Sequence, residues 1–334
     1  MSEPPDHLPG AVLALTGPTA CGKSGMAVRI AEAFDGVVIN ADSMQVYRDL
    51  HILTARPGAP AVARAPHRLY GVLPATIACT AERWRTMAIA EIDRALAAGQ
   101  LPILVGGTGL YLRALLQGLA RVPDIPAAVR GSVRTRQRSR APADFHAELA
   151  AKDPVMAARI HVTDTQRTAR AMEVVEANGR SLAEYQAEPA NPPIPQRVHV
   201  IAAVPPRAGL HRRIERRLET MVQRGGLDEL RALIDRNLDP SLPAMNALGV
   251  RQLAGYLHGE RDFDDALAAA QAATRRYAKR QYTWLRNQTV RDAASATFIG
   301  AQFSKSLTPV IFNDLRDFGL TTQRSDTSVY DAAR

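Results

Sequence analysis

Gly17-Pro18-Thr19-Ala20-Cys21-Gly22-Lys23-Ser24 matches the phosphate-loop pattern G-x-x-x-x-G-K-[ST] at every fixed position. The apolar run at residues 11–15 precedes it and is typical of a buried parallel strand. Residues 24–34 follow with apolar side chains at the spacing of a helix. A strand, a glycine-rich turn and a helix in this order predict an α/β fold, built as a phosphate-loop parallel sheet flanked by helices.

The chemistry of such a loop is the binding of a diphosphate or a triphosphate. Backbone N–H groups of a glycine-rich turn at a helix N-terminus converge on phosphate oxygens. Lys23 adds a mobile positive charge, and Ser24 offers a hydroxyl group to a Mg²⁺ ion. The loop therefore predicts a phosphate ligand with Mg²⁺, and it leaves open which bond of the ligand breaks.

Further strands bring two more segments to the same edge of the sheet. Residues 37–40 predict a strand that leads into Asp42, and an acid just past a strand of an open α/β sheet points into the ligand crevice. A helix N-cap is the alternative role for Asp42. The strand at residues 101–105 ends in Gly106-Gly107-Thr108-Gly109, whose glycines let a backbone come close to a ligand. A typical ATPase has an Mg²⁺-holding aspartate there, so its absence argues against a motor or a hydrolase.

The sequence pattern changes along the chain and predicts four segments. These are residues 9–118, the first part of the core; 119–196, a helical insertion; 197–290, the return of the core with C-terminal basic helices; and 291–334, a loosely attached tail. Within the insertion, Thr163 followed by Gln166 matches the capping-box pattern. It predicts the start of a helix that ends at Gly179.

Composition argues against several classes of protein. The 334 residues include two cysteines, Cys21 and Cys79, which are too few for a disulfide framework or a zinc cluster. No run approaches the ~20 apolar residues of a membrane span. The polar N-terminus does not resemble a signal peptide. We therefore expect a cytoplasmic protein without a membrane partner.

The net charge of +9 is concentrated in three basic clusters, within residues 130–140, 207–217 and 271–291. Clustered Arg and Lys are the electrostatic footprint of nucleic-acid binding. A solvated surface in a chain that is rich in arginine explains the same charge equally well. Charge alone leaves both interpretations open.

Taken together, the motifs resemble those of the bacterial tRNA dimethylallyltransferases, also called tRNA isopentenyltransferases. The resemblance spans residues 11–288 in the same order. Beside the phosphate loop, the most specific segments are Asp42-Ser43-Met44-Gln45-Val46-Tyr47, Gly106-Gly107-Thr108-Gly109 and Ala278-Lys279-Arg280-Gln281. The phosphate loop alone is shared by many enzymes, whereas these segments in this order are far more specific.

The resemblance implies transfer of a dimethylallyl group from its diphosphate to N6 of adenine 37, beside the anticodon of tRNA. Residues 17–24 would bind the diphosphate, with Ser24 helping to hold Mg²⁺. Lys23 and Arg217 would neutralise the leaving diphosphate, and Asp42 would accept the N6 proton. Thr108 completes the implied catalytic set.

The resemblance also implies contacts to the anticodon stem-loop by a monomeric enzyme. The implied contact residues are Asp42, Ser43, Met44, Gln45, Thr108, Arg130, Gln166, Arg167, Thr168, Ala169, Arg170, Gly249, Arg251, Gln252, Arg276 and Arg280. The chain departs from the family at Val250, where tyrosine is usual. It also lacks the C-terminal zinc finger of the eukaryotic relatives.

Three alternatives compete with this interpretation. A nucleoside or nucleotide kinase would use the same loop for ATP, and an isopentenyltransferase acting on free AMP or ATP would share the chemistry. A non-catalytic RNA-binding protein with a degenerate nucleotide site belongs to another class, and the intact Lys23, Ser24 and Asp42 argue against it. Salt separates a tRNA enzyme from a kinase: a protein with several RNA phosphate contacts loses affinity steeply as salt rises, whereas a kinase acting on a small substrate is nearly indifferent.

Overall fold

The computed structural model describes residues 10–188, 191–289, 295–320 and 328–330. The chain divides into two compact units. Unit 1 combines Met1–Leu116 with Ile194–Arg334, and unit 2 is Gln117–Pro193. The insertion thus begins and ends two to three residues before the limits of 119–196 that the sequence predicts.

Unit 1 is built on a parallel sheet of seven strands in the order β3-β2-β4-β1-β5-β6-β7. The strands are β1 Ala11–Thr16, β2 Gly36–Asn40, β3 His67–Arg68, β4 Leu101–Gly106, β5 Arg197–Ala203, β6 Ser295–Ile299 and β7 Ser328–Tyr330. This sheet confirms the predicted phosphate-loop α/β fold. Because β1, β2 and β4 are parallel neighbours, their carboxyl ends meet at one edge of the sheet.

Helices cover the sheet and form the whole regular structure of the described part of unit 2. They are α1 Lys23–Ala33, α2 Ala59–Val62, α3 Ala81–Ala97, α4 Gly109–Leu116, α5 Ala127–Ser139, α6 Pro142–Lys152, α7 Pro154–Arg159, α8 Thr165–Asn178, α9 Leu182–Ala187, α10 Arg207–Met221, α11 Leu227–Ile234, α12 Val250–Leu257, α13 Phe263–Trp284 and α14 Thr308–Leu320. No helix in the described ranges is long and apolar enough to cross a membrane.

The sheet of unit 1 separates two hydrophobic cores. Alternate residues of a strand point to opposite faces, so Val12 and Leu13 enter different cores. One core contains Trp84 of α3, which stacks on Tyr111 of α4 with ring centroids 4.3 Å apart. The other contains the apolar face of α1, including Ile30. The phosphate loop therefore leads from a fully buried strand into a helix that is anchored along its length.

Residues 295–320 belong to the core of unit 1, so the predicted loosely attached tail is wrong for this segment. β6 pairs with β5 over five residues. On α14, Ile311 is buried and Phe312 packs edge-on against Phe34 of α1, with centroids 5.1 Å apart. The segment lacks a simple hydrophobic period, which is why the sequence indicated a tail. The remainder of 291–334 lies largely outside the described residues.

A buried polar network fastens α14 to the sheet. Asp314 of α14 accepts hydrogen bonds from Nε2 of His199 at 2.8 Å and from Oγ1 of Thr297 at 2.9 Å. Nδ1 of His199 lies 2.6 Å from Oγ of Ser295. His199 and Thr297 are both buried, so the carboxylate of Asp314 satisfies polar atoms that have little access to water.

Unit 2 has its own hydrophobic core, in which Phe145, Leu149 and Met172 are fully buried. Helix α8 begins after Asp164, whose side chain accepts a hydrogen bond from the backbone N–H of Arg167. The predicted capping box at Thr163 is therefore wrong: the N-cap is the next residue, Asp164, since an aspartate is at least as good an N-cap as a threonine. The helix ends at Gly179, with φ of 68°, as predicted.

We expect Asp314→Ala to lower the free energy of unfolding by about 2 kcal/mol, because it leaves buried hydrogen-bonding groups without their partner. Denaturant unfolding followed by circular dichroism measures the change. Asn313→Ala is the matched control, since Asn313 is an exposed neighbour on the same helix. Equal stability of both variants would show that α14 is loosely attached after all.

Candidate active site

The phosphate loop connects β1 to α1 through residues with positive φ angles, among them Ala20 and Gly22. Gly22 is the N-cap of α1 and has φ of 92°, in the left-handed region that favours glycine. Ala20 also has a positive φ, of 65°, which is uncommon for a residue with a Cβ atom. Nζ of Lys23 donates to the carbonyl oxygens of Gly17 and Pro18, at 2.9 and 2.8 Å. The lysine ammonium is therefore held over the loop.

One glutamine side chain ties this loop to the end of β4. Oε1 of Gln281, on α13, accepts a hydrogen bond from the backbone N–H of Thr19 at 2.8 Å. Its Nε2 donates to the carbonyl oxygen of Gly107 at 2.9 Å. A Cβ atom at Gly107 would lie only 2.1 Å from this Nε2. Gly107 was predicted to let a ligand come close to the backbone. In the structure it lets the side chain of Gln281 come close instead.

Asp42 sits in a turn that Asn40 shapes. The buried side chain of Asn40 accepts from the backbone N–H of Asp42 at 2.8 Å and donates to its carbonyl oxygen at 3.0 Å. Oδ1 of Asp42 accepts from the backbone N–H of Met44 at 2.9 Å. This is the local pattern of an Asx turn. One carboxylate oxygen is fixed by the backbone, and the side chain faces the crevice beside the phosphate loop.

Thr108 stands behind this turn. Its Oγ1 accepts a hydrogen bond from the backbone N–H of Ser43 at 3.0 Å and lies 3.4 Å from the hydroxyl of Ser43. Thr108 lines neither the crevice beside the phosphate loop nor the smaller cavity that adjoins it. The structure thus places it where it positions the residues around Asp42.

The carboxyl edge of the sheet opens into a crevice of about 900 Å³. Among the described residues, six cationic side chains and one carboxylate, that of Asp42, line the crevice. The cations are Lys23, Arg56, Arg213, Arg216, Arg217 and Arg224. A concave site with so much positive charge concentrates anions. The charge and the phosphate loop therefore indicate the same kind of ligand.

The phosphate-loop residues divide into two groups. Those that line the crevice are Thr19, Ala20, Gly22, Lys23 and Ser24. Those that lie behind it are Gly17, Pro18 and Cys21, of which Cys21 is fully buried. The backbone N–H of Thr19 is already engaged by Gln281. The second group shapes the loop, and the first group presents it to a ligand.

A smaller cavity of about 220 Å³ adjoins the crevice and shares Asp42 and Arg217 with it. Most of its other lining side chains are apolar or aromatic. They include Met44, Leu53, Ile214, Leu218, Met221, Leu248 and Tyr277. The site thus has a cationic part and an apolar part, and Asp42 stands where they meet.

Two neighbours of Asp42 have shifted pKa values. Burial lowers the pKa of Arg217, while attraction to Asp42 opposes the shift. An arginine nonetheless keeps its charge near neutral pH. Burial, together with the charge of Asp42, raises the pKa of the Tyr277 phenol, and hydrogen bonding to Thr108 and Gln281 opposes this. Tyr277 therefore stays protonated at neutral pH and can act as a hydrogen-bond donor.

The crevice offers the exposed hydroxyl of Ser24 as an oxygen ligand for a cation beside the phosphate loop. The described residues contain no group of three or more His, Cys, Asp or Glu side chains that could hold a metal ion. Mg²⁺ at phosphate sites needs only one or two protein ligands, because phosphate oxygens and water supply the rest. The residues present therefore fit an Mg²⁺ ion that binds with a phosphate ligand.

Most of the predicted RNA-contact residues of unit 1 lie on cavities. Gln45 lines the crevice, and Ser43, Met44 and Arg280 line the smaller cavity. Arg251, Gln252 and Arg276 line a separate groove of about 320 Å³ together with Arg261. Gly249 is the N-cap of α12, with φ of 87°. The Val250 side chain is buried, so the residue that replaces the family's tyrosine points into the core.

The predicted contact residues of unit 2 differ in their exposure. Arg130, Gln166 and Arg167 are exposed, whereas the side chains of Thr168 and Ala169 are buried. Arg170 forms an ion pair with the buried Glu173 at 3.7 Å. Because the side chains of Thr168 and Ala169 are buried, they cannot make the predicted RNA contacts, and the exposed residues beside them are better placed to do so.

The basic cluster within residues 130–140 is partly neutralised inside unit 2. Arg134 pairs with Glu173 at 2.6 Å, and Arg136 pairs with Glu176 at 2.7 Å. Arg140 lies 3.2 Å from Glu148. Several of the arginines that suggested nucleic-acid binding at this cluster therefore form ion pairs between helices of unit 2.

Sequence reasoning missed several residues of the site. Arg213 and Arg216 were assigned only to a basic cluster, and Arg224 to none, although Arg213 and Arg217 are four apart and so share a face of α10. That spacing could have assigned Arg213 to the site. Gln281 and Tyr277 carried no such signal, because their roles depend on where α13 packs against the loops.

The fold and the crevice together define a class: phosphate-loop α/β proteins with a cationic crevice beside a carboxylate. The sequence profile described as IPP transferase matches residues 45–288, and the chain belongs to this family. The similarity extends beyond the matched segment, as whole-length relatives show.

Curated relatives align over nearly the whole chain. A protein of Paramagnetospirillum magneticum is 51% identical over 92% of this chain and 96% of its own length. One of Rhodospirillum rubrum is 49% identical over 93% and 95%. Both are named tRNA dimethylallyltransferase.

Solved structures show the same fold. A tRNA isopentenylpyrophosphate transferase of Bacillus halodurans has a TM-score of 0.65 and 30% identity, over 92% of this chain and 95% of its own. A eukaryotic dimethylallyltransferase, described as acting on tRNA, has a TM-score of 0.75 and 23% identity, over 96% and 82%. At that identity the second comparison shows the fold alone.

Arg213→Ala should weaken the binding of inorganic diphosphate about fivefold at low salt, because it removes one of the cations that surround the anion. Isothermal titration calorimetry measures the affinity. Arg212→Ala is the matched control, because Arg212 precedes it on α10, is exposed and does not line the crevice. An equal loss in both variants would show that net charge alone governs binding, and would contradict the assignment of the crevice.

Proposed function

We propose that this protein transfers a dimethylallyl group from dimethylallyl diphosphate to N6 of adenine 37 in tRNA, next to the anticodon. The observation that carries the proposal is the position of Asp42, between a crevice lined by six cations and a smaller apolar cavity. A prenyl diphosphate has one polyanionic end and one apolar end. The two cavities are matched to these two ends, and family membership supports the same substrate.

The reaction forms one bond and breaks another. The N6 amino group attacks C1 of the dimethylallyl group, the C1–O bond breaks, and diphosphate leaves with the bonding electron pair. Lys23 and Arg217 stabilise the negative charge that develops on the leaving oxygen. Oδ2 of Asp42 accepts the proton from N6, because Oδ1 is occupied by the backbone of Met44.

Adenine N6 is a weak nucleophile in its aromatic ring system, so the positions of the reacting atoms matter as much as the base. Asn40 and Thr108 fix the turn that carries Asp42. Gln281 fixes the phosphate loop relative to β4. These contacts hold the proton acceptor and the diphosphate site at a constant separation, which contributes to rate by orienting the reactants.

The proposal includes Mg²⁺, which would bind with the diphosphate. The hydroxyl of Ser24 is the side-chain group placed to hold it. When bound, the ion neutralises phosphate charge and so makes diphosphate a better leaving group.

Binding of the tRNA would use surfaces away from the reacting atoms. The groove of Arg251, Gln252, Arg261 and Arg276 presents three guanidinium groups and suits backbone phosphates. The exposed Arg130 and Arg167 of unit 2 offer further cations. Adenine 37 must leave its stack to reach Asp42, as in other enzymes that modify a base. We propose a monomer that acts in the cytoplasm on free tRNA.

Asp42→Asn should lower kcat for transfer to tRNA by roughly 10²–10⁴-fold, because asparagine cannot accept the proton. Its side-chain oxygen can still accept from the Met44 N–H, so the turn should persist. Transfer of label from dimethylallyl diphosphate to tRNA gives kcat, and filter binding gives tRNA affinity, which should change less than about twofold.

Asp35→Asn is the control for this substitution, because Asp35 is an acid at the opposite end of β2 and bonds to Gln100. It should keep full activity. A loss of tRNA affinity that matches the loss of kcat in Asp42→Asn would make Asp42 a structural residue. Unchanged kcat would remove it as the proton acceptor.

A further inference from the structure

The phosphate loop is held from outside by a segment that follows β6. Nε2 of Gln302 donates to the carbonyl oxygen of Ala20 at 3.2 Å. The backbone N–H of the next residue, Phe303, donates to the carbonyl oxygen of Cys21 at 3.0 Å. A Cβ atom at Gly22 would lie 2.5 Å from the carbonyl oxygen of Phe303. Three consecutive loop residues therefore each contact either Gln302 or Phe303.

Two of these loop residues, Ala20 and Gly22, have positive φ angles. Ala20 has φ of 65°, a conformation that costs free energy for a residue with a side chain. Gly22 has φ of 92° and starts α1. A strained loop keeps its conformation only when its surroundings enforce it. Ala20 and Gly22 also line the crevice, so their conformation bears directly on the ligand.

The segment that contains Gln302 and Phe303 is itself well anchored. The Phe303 side chain is buried in the core that contains α1. After it, α14 packs on α1 and is fastened to the sheet through Asp314. Two loop carbonyls are thereby tied to the carboxyl end of the described chain. The segment lies beyond residues 45–288, the part that matches the family profile.

We infer that Gln302 and Phe303 are positioning residues for the diphosphate site. They hold the carbonyl groups of Ala20 and Cys21 and so fix the backbone conformation of Ala20 and Gly22, which line the crevice. The inference rests on the proposed function for the identity of the ligand. The effect of Gln302 and Phe303 on the affinity of the loop for a diphosphate concerns anion binding alone.

Gln302→Met tests the inference, because methionine has nearly the same length but cannot donate to the Ala20 carbonyl. We expect inorganic diphosphate, in the presence of Mg²⁺, to bind about fivefold more weakly, the effect of losing one typical hydrogen bond. In the transfer assay, KM for dimethylallyl diphosphate should rise by a similar factor. The kcat value and KM for tRNA should change less than about twofold.

Ser306→Ala is the matched control, since Ser306 is exposed on the same segment and contacts Ser304 rather than the phosphate loop. It should leave diphosphate affinity unchanged. Unchanged diphosphate affinity in Gln302→Met would overturn the inference. So would a variant that loses thermal stability and in which kcat and both KM values worsen together, since that pattern indicates a general structural role.

The calorimetric measurement separates this inference from the proposed function. If the wild-type protein binds diphosphate but transfers no prenyl group to tRNA, the proposed function fails, and the Gln302→Met comparison still decides whether the segment positions the loop. If the wild-type protein binds no diphosphate, the inference is overturned, because there is no anion site to position.

Discussion

The side-chain amide of Gln281 joins two loops that come from different strands of the sheet. Through its oxygen it binds the phosphate loop at Thr19, and through its nitrogen it binds the end of β4 at Gly107. Gln281 lies on α13, and the same helix also places Tyr277 and Arg280 in the lining of the smaller cavity. One helix thus sets the spacing between the anion site and the turn that carries Asp42. Because Gln281 is buried, loss of these hydrogen bonds would leave polar groups without partners.

This constraint explains how a common loop serves an uncommon reaction. A phosphate loop by itself binds a polyanion and favours no particular bond cleavage. Here Asp42 stands at the boundary between a cationic crevice and an apolar cavity, where an acceptor could meet the carbon end of a prenyl diphosphate. The strand β4 ends in Gly106 and not in an acid. The chemistry thus depends on a single carboxylate among the lining residues, and its position is set by Asn40 and Thr108.

Local pattern was enough to predict the fold and the first part of the site. The apolar run of β1, the glycine-rich turn and the helical spacing of α1 are contiguous in sequence, so residues 11–34 could be placed without tertiary information. The roles of Gln281 and Gln302 could not be predicted, because each bonds to a loop more than 250 residues away. The tail was mispredicted for a related reason. Asp314 and His199 are far apart in sequence, and only their packing makes a polar residue of α14 part of the core.

The measurement that tests the central claim most directly is a competition between acceptors. Purified protein, Mg²⁺ and labelled dimethylallyl diphosphate would be mixed with unmodified tRNA and free AMP together. Asp42 beside an apolar cavity, with basic grooves elsewhere on the surface, predicts that label enters tRNA at adenine 37. Label in AMP would keep the chemistry but contradict the assignment of tRNA as the acceptor. Label in neither acceptor would contradict prenyl transfer itself.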